Sequence, residues 1–502
     1  AAGFTHIRKS EVSLAMVGLE AFSVARLIRV MALASVLLAG CAAVGPDFKG
    51  GTPPEEARYV PRELALERAS PDASSQHVVP GQQPAARWWT LLGSDELNGL
   101  VESTLANNRS LAAAQATLAQ AQQVVTAQAA GLFPQVDLQA NVGRQKLGAQ
   151  FLGNLARPPP FTFFSIGPAV SYALDYTGGI ARSVEQQRAL AEYQRQQLHA
   201  AYLSVTGNVA LQSLAIAAAR AQIAAIELIL QRDRDNLNLV RTAFDLGSAS
   251  RVDVLAAESQ LARDMTLLPP VRQQLDTARH ALAILAGQPP GAWSPPDFEL
   301  RQFTLPRELP LTYPSQLAHE RPDILAAEAQ LHAATAGLGV ATANLYPRIT
   351  LTASLSKQST ELSHLFDGSS TAWSLISGLV APIFDAGRLR AQRSAALYAL
   401  HASAANYQQV VLQAFGQVAD VLTALETDAE DIAAETRALE AAQASADLTR
   451  QSYQEGVANL LQVLDADRLV QQARLGLVRA ESQRYIDTVQ LFLGLGAGPA
   501  FA

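Results

Sequence analysis

The sequence has one cysteine in 502 residues, so neither a disulfide framework nor a Cys-x-x-Cys metal or redox site can form within one chain. Zinc ribbons, iron–sulfur clusters and thioredoxin chemistry are thereby excluded. Charge is scarce as well, at 17% against a typical ~25%, and aromatic residues make up only 6%. Lys plus Arg number 38 and Asp plus Glu 45, a net charge of −7, and removing the first 40 residues makes the remainder still more acidic. A nucleic-acid binder would carry the opposite sign, so no nucleic-acid partner is expected. The eight histidines form no HxxxH or HExxH pair, so no metal site is expected. No GxSxG occurs. Gly337-Leu338-Gly339 lacks a third glycine and lies in a helical pattern, while Gly494-Leu495-Gly496-Ala497-Gly498 has no helix after it, so neither cradles a phosphate. The chain is expected to be no enzyme and to need no cofactor, and any energy it uses must come from a partner.

What the sequence does hold is 49% hydrophobic residues, with Ala, Leu and Gln dominating every long segment. That composition suits long helices packed closely on one another. Near the start, Arg26 and Arg29 precede the apolar run Val30 to Leu38, which ends in Leu38-Ala39-Gly40-Cys41. At about ten residues the run is too short for a bilayer span, which needs ~20. The pattern resembles a bacterial lipoprotein signal over residues 1–40, with Cys41 as the lipidated first mature residue; the alternative is a chance cysteine in an ordinary signal peptide. Ala42 in place of aspartate favours, by analogy with that class, delivery to the outer membrane. Residues 1–25 fit no part of the pattern, and Met16 is a better initiator than the first residue.

The chain then repeats itself. Leu132-Phe133-Pro134 is matched by Leu345-Tyr346-Pro347, and Phe244-Asp245-Leu246-Gly247 by Tyr453-Gln454-Glu455-Gly456. Pro134 to Pro347 is 213 positions and Gly247 to Gly456 is 209, which implies a tandem duplication of about 210 residues. The first repeat is assigned to 94–286 and the second to 315–496, joined by a Pro-rich linker over 287–314 and flanked by an extended segment, 41–93, and a tail, 497–502. Each repeat reads as helix, strand, loop, strand, very long helix, tight turn, helix. After Pro134, Val136, Leu138, Ala140 and Val142 alternate with polar residues; after Pro347, Ile349, Leu351, Ala353 and Leu355 do the same. Residues 165–175 and 372–383 supply return strands, giving four strands in two hairpins.

Four strands cannot close a membrane barrel, the smallest of which use about eight, so strands that face lipid demand oligomerisation. The same alternation would also serve a soluble half-buried sheet. Residues 178–244 and 386–455 contain no proline, and at ~1.5 Å per residue each predicts a helix on the order of 100 Å long. Such a helix has to lie in a coiled coil or helical tube. The flanking helices, 94–131 and 251–286, are about half as long and can run antiparallel beside it, with a kink or break at Pro269-Pro270. The expected fold is mainly α with a small transmembrane β part.

Several short motifs in order then resemble a known family: Cys41 to Phe48, Trp88-Trp89 ahead of Leu97 and Asn107-Asn108, the Leu-Phe-Pro and Leu-Tyr-Pro junctions, Leu267-Leu268-Pro269-Pro270, and Ala381 to Gly387. Together they resemble the TolC-like outer-membrane factors, in the NodT-like lipoprotein branch that serves resistance–nodulation–division (RND) efflux pumps. The resemblance implies a homotrimer with a twelve-stranded β-barrel in outer-membrane lipid and a long α-helical barrel in the periplasm. It also implies a periplasmic membrane-fusion adaptor and an inner-membrane RND transporter as partners, the chain being a passive duct. In this family the inner helix pair of the second repeat closes the periplasmic tip with an aspartate ring and an apolar ring. Asp465 matches the aspartate and Leu461 the apolar residue. Gln462 stands where some members have a second aspartate. Tyr453 matches a tethering tyrosine, while Ala458 replaces an expected arginine, which implies a weaker tether. Gly247 and Asp253 occupy the corresponding turn of the first repeat, and Gly456 that of the second.

Three carboxylates crowded at a mouth would attract cations and raise one another's pKa. The plainer alternative makes Asp465 a helix N-terminal acid and Leu461 a staple residue. Other readings of the whole chain are an outer-membrane channel for type I protein secretion and a periplasmic coiled-coil scaffold without a pore. The lipid-attachment cysteine and the Leu-Leu-Pro-Pro motif speak against the former, and the latter predicts no membrane-embedded strands.

Overall fold

The alternating runs after Pro134 and Pro347 form β2 (Gln135–Gln145) and β5 (Arg348–Ser359), and their return strands are β3 (Phe161–Leu174) and β6 (Thr371–Val380). A computed structural model describes residues 43–51, 58–61, 76–146 and 159–498. The leader reading of 1–40, the lipid-attachment reading of Cys41 and the final residues of the tail lie outside them. The four strands make one antiparallel sheet in the order β2-β3-β5-β6. Register places Val136 opposite Val170, Val142 opposite Phe164, Leu351 opposite Tyr172 and Leu355 opposite Trp373. Opposed residues share a face, so one face carries Val136, Leu138, Val142, Ile166, Leu355 and Trp373, and the other Gln139, Asn141, Ser171, Thr352 and Ser354. The apolar face is bare: Leu138 is 74% and Trp373 77% exposed. The outer edges of β2 and β6 have no strand partner among the described residues.

The chain separates into two compact units, and each draws on both sequence repeats. The first comprises residues 1–50, 121–190 and 330–403 and contains the sheet. Within it the segment after Ala43 is tied down by the buried Arg182. That guanidinium donates to Asp47 Oδ1 at 2.6 Å, Glu185 Oε2 at 2.7 Å and the Val44 carbonyl at 3.3 Å. Phe48 stacks on His332 with ring centroids 4.2 Å apart. Gly45 lies so close to Gly339 that a Cβ on it would stand 2.6 Å from the Gly339 Cα, which gives the Gly337–Gly339 pair a packing role.

The second unit comprises residues 51–120, 191–329 and 404–502. Among the described residues the chain has nine α-helices: α1 (Asp95–Asn107), α2 (Arg109–Ala129), α3 (Gly179–Asp245), α4 (Arg251–Met265), α5 (Leu268–Leu285), α6 (Pro314–Glu320), α7 (Pro322–Ala343), α8 (Arg388–Gln454) and α9 (Leu460–Gly494). The long helices α3 and α8 have 67 residues each. An apolar window of α3 has mean hydropathy 1.6 and is 56% buried. Its Val209, Leu214 and Ile216 enter the main core with Trp88, Trp89, Phe298 and Phe492, which marks a packing helix. Trp88 stacks on Phe492 at 5.4 Å.

Both helices expected over 94–131 and 251–286 are split. Asn108 turns extended between α1 and α2, caps α2 by accepting the Leu111 N–H at 2.9 Å, and donates to the Leu285 carbonyl at 2.7 Å. The other break falls at 266–267, ahead of Pro269 and Pro270, which sit in the first turn of α5 where a missing N–H does no harm. The second repeat has no proline at that place, and α9 runs unbroken for 35 residues. The Pro-rich linker gives Phe298 and Phe303 to the core and contributes β4 (Glu308–Leu311), which pairs in parallel with β1 (His77–Pro80).

Candidate functional site

The two helical hairpins of the second unit end in turns built bond for bond alike. After α3, Ser248 and Ala249 donate to the Ala243 carbonyl at 2.8 and 3.2 Å, and Gly247 donates to Phe244 at 2.9 Å. After α8, Val457 and Ala458 donate to Ser452 at 2.8 and 3.1 Å, and Gly456 donates to Tyr453 at 3.0 Å. Gly247 (φ 79°) and Gly456 (φ 77°) take the left-handed position that closes a helix in this way, which residues with a Cβ adopt only under strain. A capping box follows in each turn. Ser250 and Asp253 exchange bonds at the start of α4, and Asn459 and Gln462 at the start of α9.

Asp253 and Gln462 are therefore equivalent cap residues. The Ser250 N–H donates to Asp253 Oδ2 at 2.7 Å, and bonds from the Ser250 backbone and hydroxyl hold the Asp253 carboxyl below the usual range. Gln462 fills the same role with a neutral amide, which explains how the turn dispenses with an aspartate there.

Beyond the cap, α9 sorts its side chains by face. Leu460 and Leu464 pack on Leu237, Val240, Val254 and Ala257 of the first hairpin. Ala466 and Val470 pack on Leu439, Ala442 and Ala446 of α8. Leu461 and Asp465, one helical turn apart, are left on the remaining face, with Leu461 53% exposed and the Asp465 side chain 61%. Asp465 lies in the second turn of α9, past the dipole's reach, and its Oδ1 is 3.6 Å from Arg468 Nη2. Tyr453 stands half-exposed at the end of α8.

Two features of this region escaped sequence reasoning. Arg450 of α8 bridges Asp447 at 2.9 Å and reaches the buried Asp467 of α9, tying the two helices of the second hairpin together. Asp467 lies two positions beyond Asp465, and only its helical phase distinguishes it. The second is a cleft of about 650 Å³ between the hairpins, whose lining includes Arg232, Asp233, Asp264, Leu461, Asp465 and Arg479. There the Asp233 and Asp264 carboxyls face each other. Asp233 is pushed up to about 7, first by burial and then by Asp264, and its Oδ2 meets no donor among the described residues. Gln260 donates to Asp264 at 2.7 Å. Among the described residues no group of three or more His, Cys, Asp or Glu is placed to hold a metal.

The sequence matches the family model described as outer membrane efflux protein over residues 100–288 and 313–497. It is 32% identical to the pyoverdine export outer membrane protein OpmQ of Pseudomonas aeruginosa over 84% of this chain and 90% of that protein. It is 27% identical to the probable outer membrane lipoprotein SilC of Salmonella typhimurium over 92% and 96%. Its fold is similar to the outer-membrane channel OprN, with a TM-score of 0.82 at 28% identity over 91% of this chain and 99% of that one. The chain thus belongs to the outer membrane efflux protein family, has the TolC-like fold, and is the outer-membrane channel component of an efflux system.

Proposed function

We propose that three copies of the chain pool their four-stranded sheets into one twelve-stranded barrel and act as the passive export duct of a tripartite RND-type assembly. The observation that carries this reading is the sheet itself, which bares an apolar face and leaves the outer edges of β2 and β6 without a strand partner among the described residues. In lipid every strand edge needs a partner, and closure with further copies supplies it. The apolar face also disfavours the scaffold reading, which has no use for it. Cys41 carries lipid, a periplasmic membrane-fusion adaptor engages the helical part, and an inner-membrane RND transporter supplies energy and substrate.

The closed gate is the tip around 453–466, with Leu461 and Asp465 lining the narrowest point. Their shared free face on α9 supports this assignment. Asp253, Gln462, Gly247 and Gly456 shape the turns that present it, and Tyr453 flanks it. The Asp465–Arg468 pair moderates carboxylate repulsion in the ring, so the gate is an alternating ring of acid and base.

The test is native mass spectrometry of the protein in detergent, with unboiled gel migration alongside. A trimer that dissociates only on heating is expected; a stable folded monomer overturns the reading.

A further inference from the structure

The apolar sheet face carries two charged residues among the described ones, Arg144 on β2 and Lys357 on β5. Both lie at the hairpin-loop end, away from the helices. Each follows an uninterrupted apolar series on its own strand: Val136, Leu138, Ala140, Val142, then Arg144; Ile349, Leu351, Ala353, Leu355, then Lys357. The 213 positions that relate Pro134 to Pro347 also relate Arg144 to Lys357, so the cation is a repeated feature of the two hairpins.

Neither cation is neutralised by a carboxylate among the described residues. Arg144 is exposed, and no carboxylate among the described residues is within ion-pair reach of it. Lys357 Nζ donates to the Asp367 carbonyl at 2.9 Å and to Thr371 Oγ1 at 3.0 Å, both uncharged acceptors, so its position is fixed while its charge is kept. The acids of the adjacent loop are taken up elsewhere: Asp367 Oδ2 lies 2.9 Å from His364 Nδ1, and Glu361 lies 3.7 Å from His364 Nε2. The face itself bears no Asp or Glu.

The series from Phe164 to Leu174 on β3 measures the apolar band. At ~3.3 Å per residue and a strand tilt of roughly 40° it is on the order of 25 Å tall, the height of a barrel's lipid-facing band. Aromatic Phe164 and Trp373 mark the loop end of the band, and the cations stand at its margin. This is where the phosphates of outer-leaflet lipid lie, and a lipid-facing cation outside the hydrocarbon is stable only with such a partner or with water.

We propose that Arg144 and Lys357 form a repeated docking site for the phosphorylated headgroups of outer-leaflet glycolipid, set on the outer rim of the barrel. The proposal rests on the trimer reading, in which equivalent positions of the repeated hairpins stand at one level and ring the barrel. The apolar band takes the acyl chains and the cations take the phosphates, so headgroup charge decides which lipid stays bound.

The test is native mass spectrometry of the full-length protein in neutral detergent, titrated with diphosphorylated lipid A and, separately, with the dephosphorylated form. Wild type should retain the phosphorylated lipid at least about fivefold better, a contribution of the size expected for one or two interfacial cations. Arg144→Gln together with Lys357→Gln should bring the two lipids to within twofold, and Lys357→Arg should keep the wild-type preference. Arg144→Gln alone removes no hydrogen bond within the described residues, and about half of the preference should be lost with the fold intact. Equal retention of both lipids by wild type, an unchanged preference in the double variant, or displacement by millimolar inorganic phosphate would each overturn the proposal. Oligomeric state is read from the same spectra, and lipid is counted per chain, so a failed trimer and a failed lipid site give different results.

Discussion

Gln462 accepts the Asn459 backbone N–H at 2.8 Å, while its own N–H donates to the Asn459 side chain at 2.9 Å. This reciprocal pair, one repeat after Ser250 and Asp253, fixes where α9 begins and so the phase in which Leu461 and Asp465 are presented.

Removing that cap should loosen the tip alone. Asn459→Ala should cost about 1 kcal/mol. Hydrogen exchange should quicken at residues 460–464 and stay unchanged around Trp88 and Phe492, because the core there shares no contact with the turn. Uniform loss of protection would place the cap's effect elsewhere.

At the proposed gate, Leu461→Ser should wet the proposed constriction and raise basal single-channel conductance at least about threefold. Asp465→Ala should abolish the response to divalent cations, and Arg468→Ala should strengthen it by freeing the carboxylate that Arg468 faces at 3.6 Å. Recordings in planar bilayers decide, and wild-type behaviour in all three would move the gate away from this face.

Asp233 gives a pH dependence of definite sign. Its carboxyl is raised from 3.8 to about 7 in the folded chain, so the folded state holds a proton that the unfolded state has released. The stability this contributes is full below pH 3.8 and is lost as pH rises through about 7. Arg232 and Arg263 on the first hairpin, Glu435 on α8, and Asp465, Asp467, Arg468 and Arg479 on α9 share the cleft and set the background field. Asp428, raised to about 7 by burial and Asp487, adds to the same fall, so Asp233→Asn should lessen the fall in denaturation midpoint between pH 5 and 8; an unaltered profile would assign it to another group.

Cys41 should be the mature N-terminus and carry lipid. Mass spectrometry of the N-terminal peptide from membranes should show an acylated Cys41-Ala42-Ala43 start, and an unmodified peptide reading through Leu38 to Gly45 would refute it.

The features legible in the sequence were those with a period. Two-residue alternation marked β2 and β5 because one face of each is bare and apolar, and the absence of proline marked α3 and α8. The return strands are harder to bound, since β3 has apolar residues such as Phe163 and Ala169 on its second face as well and begins at Phe161, four residues before the expected start at 165. The break at Asn108 was missed because an asparagine between two helices looks like any surface asparagine until its amide meets Leu285. Contacts between distant segments leave no local trace, and β1 with β4, Arg450 with Asp467 and the Asp233–Asp264 pair are all of this kind. At the tip, Gly247 and Gly456 announced the turns by their matched surroundings. The face on which Leu461 lies could be inferred only once Asn459 was known to start the helix.

The parallel β1–β4 pair imposes an order on folding. Beside it, Gln76 Nε2 donates to the Pro306 carbonyl at 2.9 Å across 230 residues of sequence, and Val78 is buried against Leu309, Leu311, Leu422 and Leu491. The whole first repeat leaves the ribosome before any of these partners exists, and Leu491 comes almost last. Because that loop closes only across the whole first repeat, Val78 waits uncovered until β4 is made, and a polypeptide ending after the first repeat has none of these partners to cover it with. Duplication made the two repeats alike, yet Leu422 and Leu491 of the second help to bury a residue that precedes the first.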